Sequence, residues 1–399
     1  MGCCESRHDP SLLQASRSDA FRGGVEDGGS SIQAVERAAE AIRLYGSQAG
    51  KKGAAPAGGL RDVRLALLAL PRDPKSVPEV PQLEMSKTVE VLRNEADAAD
   101  VMLTGLVLMR YLAQRPTNQK NMSECNCVSL VLRSLHLHES NPTLQGVACD
   151  TLGNLLQEQA NTVQFLRLGG VEAVMAVISS NMAHTRVMEA ACFLLGNVAS
   201  SEEGLKHIAK TGGAAVALKV VKAHEQDAEL LREILFLISN MAQSPALQAE
   251  LLNVGGVNTV ISVMDNHSTS PEIMAMGCSA LDNLLGAADP GGGGGGAGKQ
   301  APLPRAALEV CLRALKTHGS DPAVVRRSAG AVATMGAIQP RSPLLVGNSE
   351  LIEALVNGGK CAMAGKADAQ ALVQVLRALE VVAEYPENRC VHSVFFILV

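Results

Sequence analysis

One motif in this chain returns at a fixed distance. Asn154 stands in TLGNLLQ, Asn197 in LLGNVAS, Asn240 in LISNMAQ and Asn283 in ALDNLLG, each 43 residues after the one before. Four hits at one period mark an internal repeat, and a repeat of this length means supersecondary units that stack on one another rather than a globule around one centre. Neighbouring positions keep the register: Cys149, Cys192, Leu235 and Cys278 come five residues before each Asn, and Leu152, Leu195, Ile238 and Leu281 two before. Glycine pairs at 169–170, 212–213 and 255–256 recur at the same 43-residue step, where a tight turn with φ above zero suits glycine. Each pair follows one short apolar helix and precedes another. One unit therefore reads as a short helix, a glycine turn, a second helix, a loop, and a longer third helix that carries the Asn.

Composition agrees with helices. Apolar residues make up 47% of the chain but aromatics only 2%, and Trp is absent. The core must be aliphatic, and Leu, Ala and Met favour helix packing over aromatic-rich strands. A net charge of −5 and the shortage of aromatic platforms argue against a nucleic-acid partner. No apolar run reaches the length of a membrane-spanning helix. The N-terminus has no secretory h-region, so the chain reads as cytosolic and its ten cysteines as free thiols.

Units of short, middle and long helix with this period resemble the armadillo repeat family. The resemblance implies an all-α, right-handed armadillo-type α-solenoid of about seven repeats over residues 83–399, most regular from about 83 to 288. Backwards, LMRYLAQRPTN puts Tyr111 in the Asn slot. Forwards, LEVCLRALKTH ends on His318, 51 residues after His267, so eight residues have been inserted. LEVVAEYPEN at 379–388 echoes YLAQRPTN. Residues 31–82 read as a capping region: an amphipathic helix in SIQAVERAAEAIRLYG, a linker GSQAGKKGAAPAGG, a capping helix in LRDVRLALLAL, and a Pro-rich stretch, PRDPKSVPEVP, that cannot be helical. Residues 1–30 read as a disordered tail.

The chain shows no catalytic constellation. Gly293 to Lys299 satisfies G-x-x-x-x-G-K, the phosphate-cradling pattern, and a P-loop hydrolase is the reading from a different class. But Gln300 stands where Ser or Thr should hold Mg²⁺, and no strand precedes. The Gly-rich run at 290–302 reads instead as a loop insertion where the register gains its extra residues. His138, His224, His267 and His318 share one register position at the end of the second helix. Repeats about 8–10 Å apart cannot share a metal whose ligands lie within about 2.1 Å. The macrodipole explains a histidine there, and no metal or cofactor is expected. Cys149, Cys192 and Cys278 fall in a core slot.

In armadillo proteins the third helix lines a concave groove, and an Asn at this place grips the main chain of an extended peptide. The resemblance thus makes Asn154, Asn197, Asn240 and Asn283 a peptide rail. The alternative is that each Asn bonds only a neighbouring repeat. One turn earlier, nuclear-import receptors of this family carry Trp; here that slot holds Asp150, Phe193, Phe236 and Ser279. Phe193 and Phe236, beside Glu189 and Glu233, are groove candidates, but a full nuclear-signal groove is not indicated.

The first residues, MGCCES, fit M-G-x-x-x-[ST], the pattern for myristoylation of Gly2. One myristoyl chain binds membranes only marginally, and Arg7, Arg17 and Arg22 are cancelled by Glu5, Asp9 and Asp19. Cys3 and Cys4 can supply a second anchor by S-palmitoylation. This pairing resembles lipid-anchored armadillo adaptors. It implies a non-enzymatic scaffold on the cytosolic face of a plasma or organelle membrane, with proteins as partners, acyl chains in the membrane, and no small-molecule substrate. A soluble cytoplasmic, import-receptor-like adaptor is the alternative.

Overall fold

The computed structural model describes residues 31–52, 65–67, 70, 73–286, 305–338, 344–364, 368–384 and 386–388. The expected tail with Gly2, Cys3 and Cys4, the Gly-rich insertion, the second half of the linker GSQAGKKGAAPAGG, most of the expected capping helix LRDVRLALLAL and the apolar end HSVFFILV lie outside the described residues. The described residues are helical and contain no strand. The chain forms two compact units, Met1–Ala173 and Val174–Val399.

In the first unit the helices are α1 (Ser31–Lys52), α2 (Gln82–Asn94), α3 (Ala99–Leu112), α4 (Pro116–Glu124), α5 (Cys127–Leu137), α6 (Pro142–Leu155) and α7 (Gln159–Arg167). Helix α1 runs through Gly46 and Gly50 to Lys52, so the expected linker begins later than the glycines suggested. A single glycine costs about 0.5–1 kcal/mol in a helix, too little to end one by itself. Among its described residues, 73–81, the Pro-rich stretch holds no α-helix, only a 3₁₀ turn at Pro74–Ser76. Helix α1 packs on α3, and α3 packs on α6.

Helix α8 (Gly170–Ser180) contains the boundary between the units. The second unit continues with α9 (Thr185–Val198), α10 (Glu202–Lys210), α11 (Gly213–Ala223), α12 (Ala228–Met241), α13 (Pro245–Asn253), α14 (Gly256–Asn266), α15 (Pro271–Gly286), α16 (Arg305–His318), α17 (Pro322–Ile338), α18 (Ser349–Ala364) and α19 (Ala369–Ala383). Here the third helices α9, α12, α15, α17 and α19 pack each on the next, and the second helices α11, α14, α16 and α18 form a parallel row. Among the described residues seven second–third helix pairs occur, the number the register implied.

Local chemistry starts and stops these helices where the repeat requires. Third helices begin on Pro142, Pro271 and Pro322, where a missing N–H costs nothing. Asp227 and Asn141 cap theirs through Leu230 N (3.0 Å) and Leu144 N (3.1 Å). The first glycine of each pair is left-handed, with φ of 72°, 71° and 84° at Gly169, Gly212 and Gly255. Asn126 takes the same place in the preceding repeat at φ 53°. The second glycine serves packing instead: a Cβ on Gly213 would lie 2.3 Å from Ile208 Cγ2. The repeating slot of Cys149, Cys192, Leu235 and Cys278 is buried in the core, and burial pushes the Cys192 thiol well up from its ordinary value.

Candidate functional site

The row of third helices in the second unit carries three of the four register asparagines. Asn197, Asn240 and Asn283 are partly exposed. Asn154, in the first unit, is only 2% exposed. The amides are not idle. Asn240 Nδ2 donates to Gly196 O at 3.0 Å, and Asn283 Nδ2 donates to Ser239 O at 2.8 Å and to Ser239 Oγ at 3.0 Å. In the first unit Asn154 Nδ2 donates to Arg110 O at 3.1 Å. Each acceptor lies 44 residues earlier, on the preceding third helix.

The helix ends explain why those carbonyls need a donor. After α9, Ala199 N bonds Leu195 O and Ser200 N bonds Asn197 O, so the backbone skips Gly196 O. The same tightening after α12 skips Ser239 O, and after α3 it skips Arg110 O. A helix leaves its last carbonyls without intrahelical partners, and the Asn of the next repeat caps one of them. The neighbour-bonding alternative is thus realised at Asn154, Asn240 and Asn283. The same bond fixes the orientation of each amide.

The slot one turn before each Asn also reaches back one repeat. Asp150 Oδ2 pairs with Arg110 Nη1 at 3.0 Å in the first unit. In the second, Phe236 fills the space over Gly196, where a Cβ would lie 2.6 Å from its Cδ1. Ser279 Oγ lies 3.0 Å from Ser239 Oγ. Phe193 is 8% exposed and Phe236 partly exposed, so of the two only Phe236 offers appreciable ring surface. Around them Arg186 pairs with Glu189 at 2.5 Å and Arg232 with Glu233 at 2.7 Å. Burial raises the Glu189 carboxyl above its ordinary value, Arg186 opposes this, and Asp227 and Glu229 add to it.

The register histidines have partners more specific than a helix dipole. His138 Nε2 meets Ala96 O at 2.8 Å, His224 Nε2 meets Met182 O at 2.7 Å, and His267 Nε2 meets Glu225 O at 2.8 Å, each 42 residues back. His318 Nε2 meets Ser268 O at 2.8 Å, 50 residues back. The contact is preserved and the eight-residue gain in register is thereby located between Ser268 and His318. Among the described residues no three or more His, Cys, Asp or Glu side chains come together as a metal site. No single helix among them is long and apolar enough to cross a membrane.

A second asparagine family keeps the 43-residue step only once, from Asn118 to Asn161, since Gly204 stands at the next position. Asn118 Nδ2 donates to Leu112 O (3.0 Å) and Pro78 O (2.9 Å), while its Oδ1 accepts Val80 N (2.9 Å). Asn388 repeats the scheme atom for atom, with Val382 O (3.0 Å), Leu345 O (2.9 Å) and Gly347 N (2.8 Å). Asn161 Nδ2 donates to Leu155 O at 2.9 Å and Gln119 O at 3.2 Å. The echo between YLAQRPTN and LEVVAEYPEN is this shared clamp, and Pro-x-Asn after a long helix is the signal that could have found it.

Stacked triplets with these inter-repeat bonds define an armadillo-type α-solenoid. The chain belongs to the GAC ARM domain family, whose model matches residues 85–288, about half of its length. It is similar in fold to SYS-1 in its crystal structure, with TM-score 0.62 and 13% identity over 90% of this chain and 69% of that one. The SYS-1/POP-1 complex aligns with TM-score 0.64 and 13% identity over the same shares. At such identity the likeness speaks for the fold. No curated protein matches the sequence.

Proposed function

We propose that this protein is a non-enzymatic scaffold that holds an extended segment of a partner protein along its third helices, and that acyl chains at Gly2, Cys3 and Cys4 tether it to the cytosolic face of a membrane. The observation that carries the first part is the row of partly exposed Asn197, Asn240 and Asn283 on successive packed helices, with the Asn240 and Asn283 amides oriented by an inter-repeat bond. A carboxamide has two N–H groups and an oxygen with two lone pairs, so Asn240 can cap its neighbour and still meet a peptide. Phe236 supplies apolar surface beside the rail. SYS-1, similar in fold, is found in complex with POP-1, which supports a protein partner here. The acyl anchors rest on MGCCES alone.

An array of synthetic nonapeptides tests the groove. Ser200 and Gln243 are exposed and adjoin the rail: Ser200 Oγ bonds Asn197 O at 2.6 Å, and Gln243 Nε2 lies 3.4 Å from Asn240 Oδ1. Changing both to Arg (S200R/Q243R) obstructs the row while keeping the caps on Gly196 O and Ser239 O. We expect stability within about 0.5 kcal/mol and at least about tenfold weaker peptide binding, about 1.4 kcal/mol. If the variant binds as well as the wild type, or the wild type binds no peptide, the groove reading fails. For the tether, Gly2→Ala should move the full-length protein from the membrane fraction to the soluble one and abolish incorporation of a myristate analogue. A variant that stays on membranes sinks that part and favours an anchor of another kind.

A further inference from the structure

Two repeats distant in the chain share one register. Helix α2 ends at Asn94 and α18 at Ala364; α3 begins at Ala99 and α19 at Ala369. Pro116 and Asn118 follow α3 as Pro386 and Asn388 follow α19, each residue 270 positions after its counterpart. The two asparagines hold the preceding helix in the same way, one on Leu112 O and the other on Val382 O, again 270 positions apart. The chain therefore leaves Asn388 from the same fixed point as it leaves Asn118. Residues 389–399, RCVHSVFFILV, come next and lie outside the described residues.

After Asn118 the buried side chains are Gln119, Met122, Cys125, Cys127 and Val128. The same register puts Arg389, His392, Phe395, Ile397 and Leu398 at these places. Three large apolar side chains thus coincide with the buried Cys125, Cys127 and Val128. Arg389 keeps a donor where Gln119 Nε2 donates to Ala113 O at 2.7 Å. His392 departs from Met122, but its ring has an apolar body and a polar tip. Val394 and Phe396, by contrast, correspond to the exposed Glu124 and Asn126. The receiving surface changes in step. Helices α4 and α5 pack on α2, where the Arg93 guanidinium donates to Cys125 O. On α18 the place of Arg93 is taken by Met363, which is 39% exposed. An arginine–carbonyl contact in one repeat has as its counterpart a methionine facing an aromatic residue, a favourable pairing of thioether and ring.

We infer that the surface around Met363, at the end of α18, is the docking place of the chain's own residues 389–398, which lie on it as α4 and the start of α5 lie on α2, with Phe395 against Met363. Phe395 comes seven residues after the clamped Asn388. So short a link holds it at an effective concentration of about millimolar, which a separate partner or a second copy of the chain must exceed to displace it. The inference is independent of the groove and of the acyl anchors.

The test makes Met363→p-benzoylphenylalanine, a photo-crosslinking residue, in the full chain. Illumination, trypsin digestion and mass spectrometry should find the peptide 361–366 joined to the peptide 390–399. The link should form within a band of monomer mass, with a yield unchanged on about tenfold dilution, as an intramolecular contact requires. Adding Phe395→Glu should lower the yield at least about fivefold, since a carboxylate cannot be buried there unpaired. Adding Phe396→Glu, at the place of an exposed side chain, should leave it within about twofold. Equal losses in the two variants overturn the register on which the inference stands. Links only between copies overturn it in favour of a second chain at this surface, and the absence of any link to 390–399 overturns it outright.

Discussion

The amide of Asn240 donates to a carbonyl that helix α9 itself leaves unused. Removing it should therefore be felt in stability before it is felt in binding. Asn240→Ala leaves Gly196 O at a closely packed helix end without its donor, at a cost of about 1–2 kcal/mol, read as a lowered urea midpoint. Asn240→Asp should be no better, since a carboxylate cannot donate to a carbonyl. An unchanged midpoint in both variants would show that the cap contributes nothing. The position of Asn240 was legible in the sequence but its acceptor was not. A groove residue and an inter-repeat cap require the same side chain at the same recurring place, and periodicity cannot tell them apart. Asn118 and Asn388 were missed for a related reason: their partners, Val80 N and Gly347 N, lie in irregular segments that carry no period.

At the scale of the element, the glycine pair does two jobs that its recurrence alone does not separate. Gly212 is left-handed at φ 71°, with nothing within 4 Å of the point a Cβ would occupy, whereas the space at Gly213 is taken by Ile208. Gly212→Ala should cost about 1–2 kcal/mol from backbone conformation alone, while Gly212→Asn should cost less, since Asn126 holds the equivalent place at φ 53°. Thermal unfolding of the two variants decides this; equal losses would show that packing, not φ, rules the turn. The helices were readable because apolar spacing, proline at the first position and capping Asp or Asn are local signals. Helix α1 outran its expected end because glycine alone is a weak stop.

For the whole molecule, the 43-residue period carried the architecture, and the recurrence of one histidine contact located the break in it. His318 reaches Ser268 as His267 reaches Glu225, despite the longer chain between the former pair. What periodicity could not show is the direction of these bonds. Asn240 and Asn283 reach 44 residues back, and His138, His224 and His267 reach 42 back. Every repeat so connected is finished by its successor. On a ribosome adding about 5–20 residues per second, each newly made third helix waits about 2–9 s for the asparagine that completes it, so the growing chain always carries one incomplete layer at its leading edge.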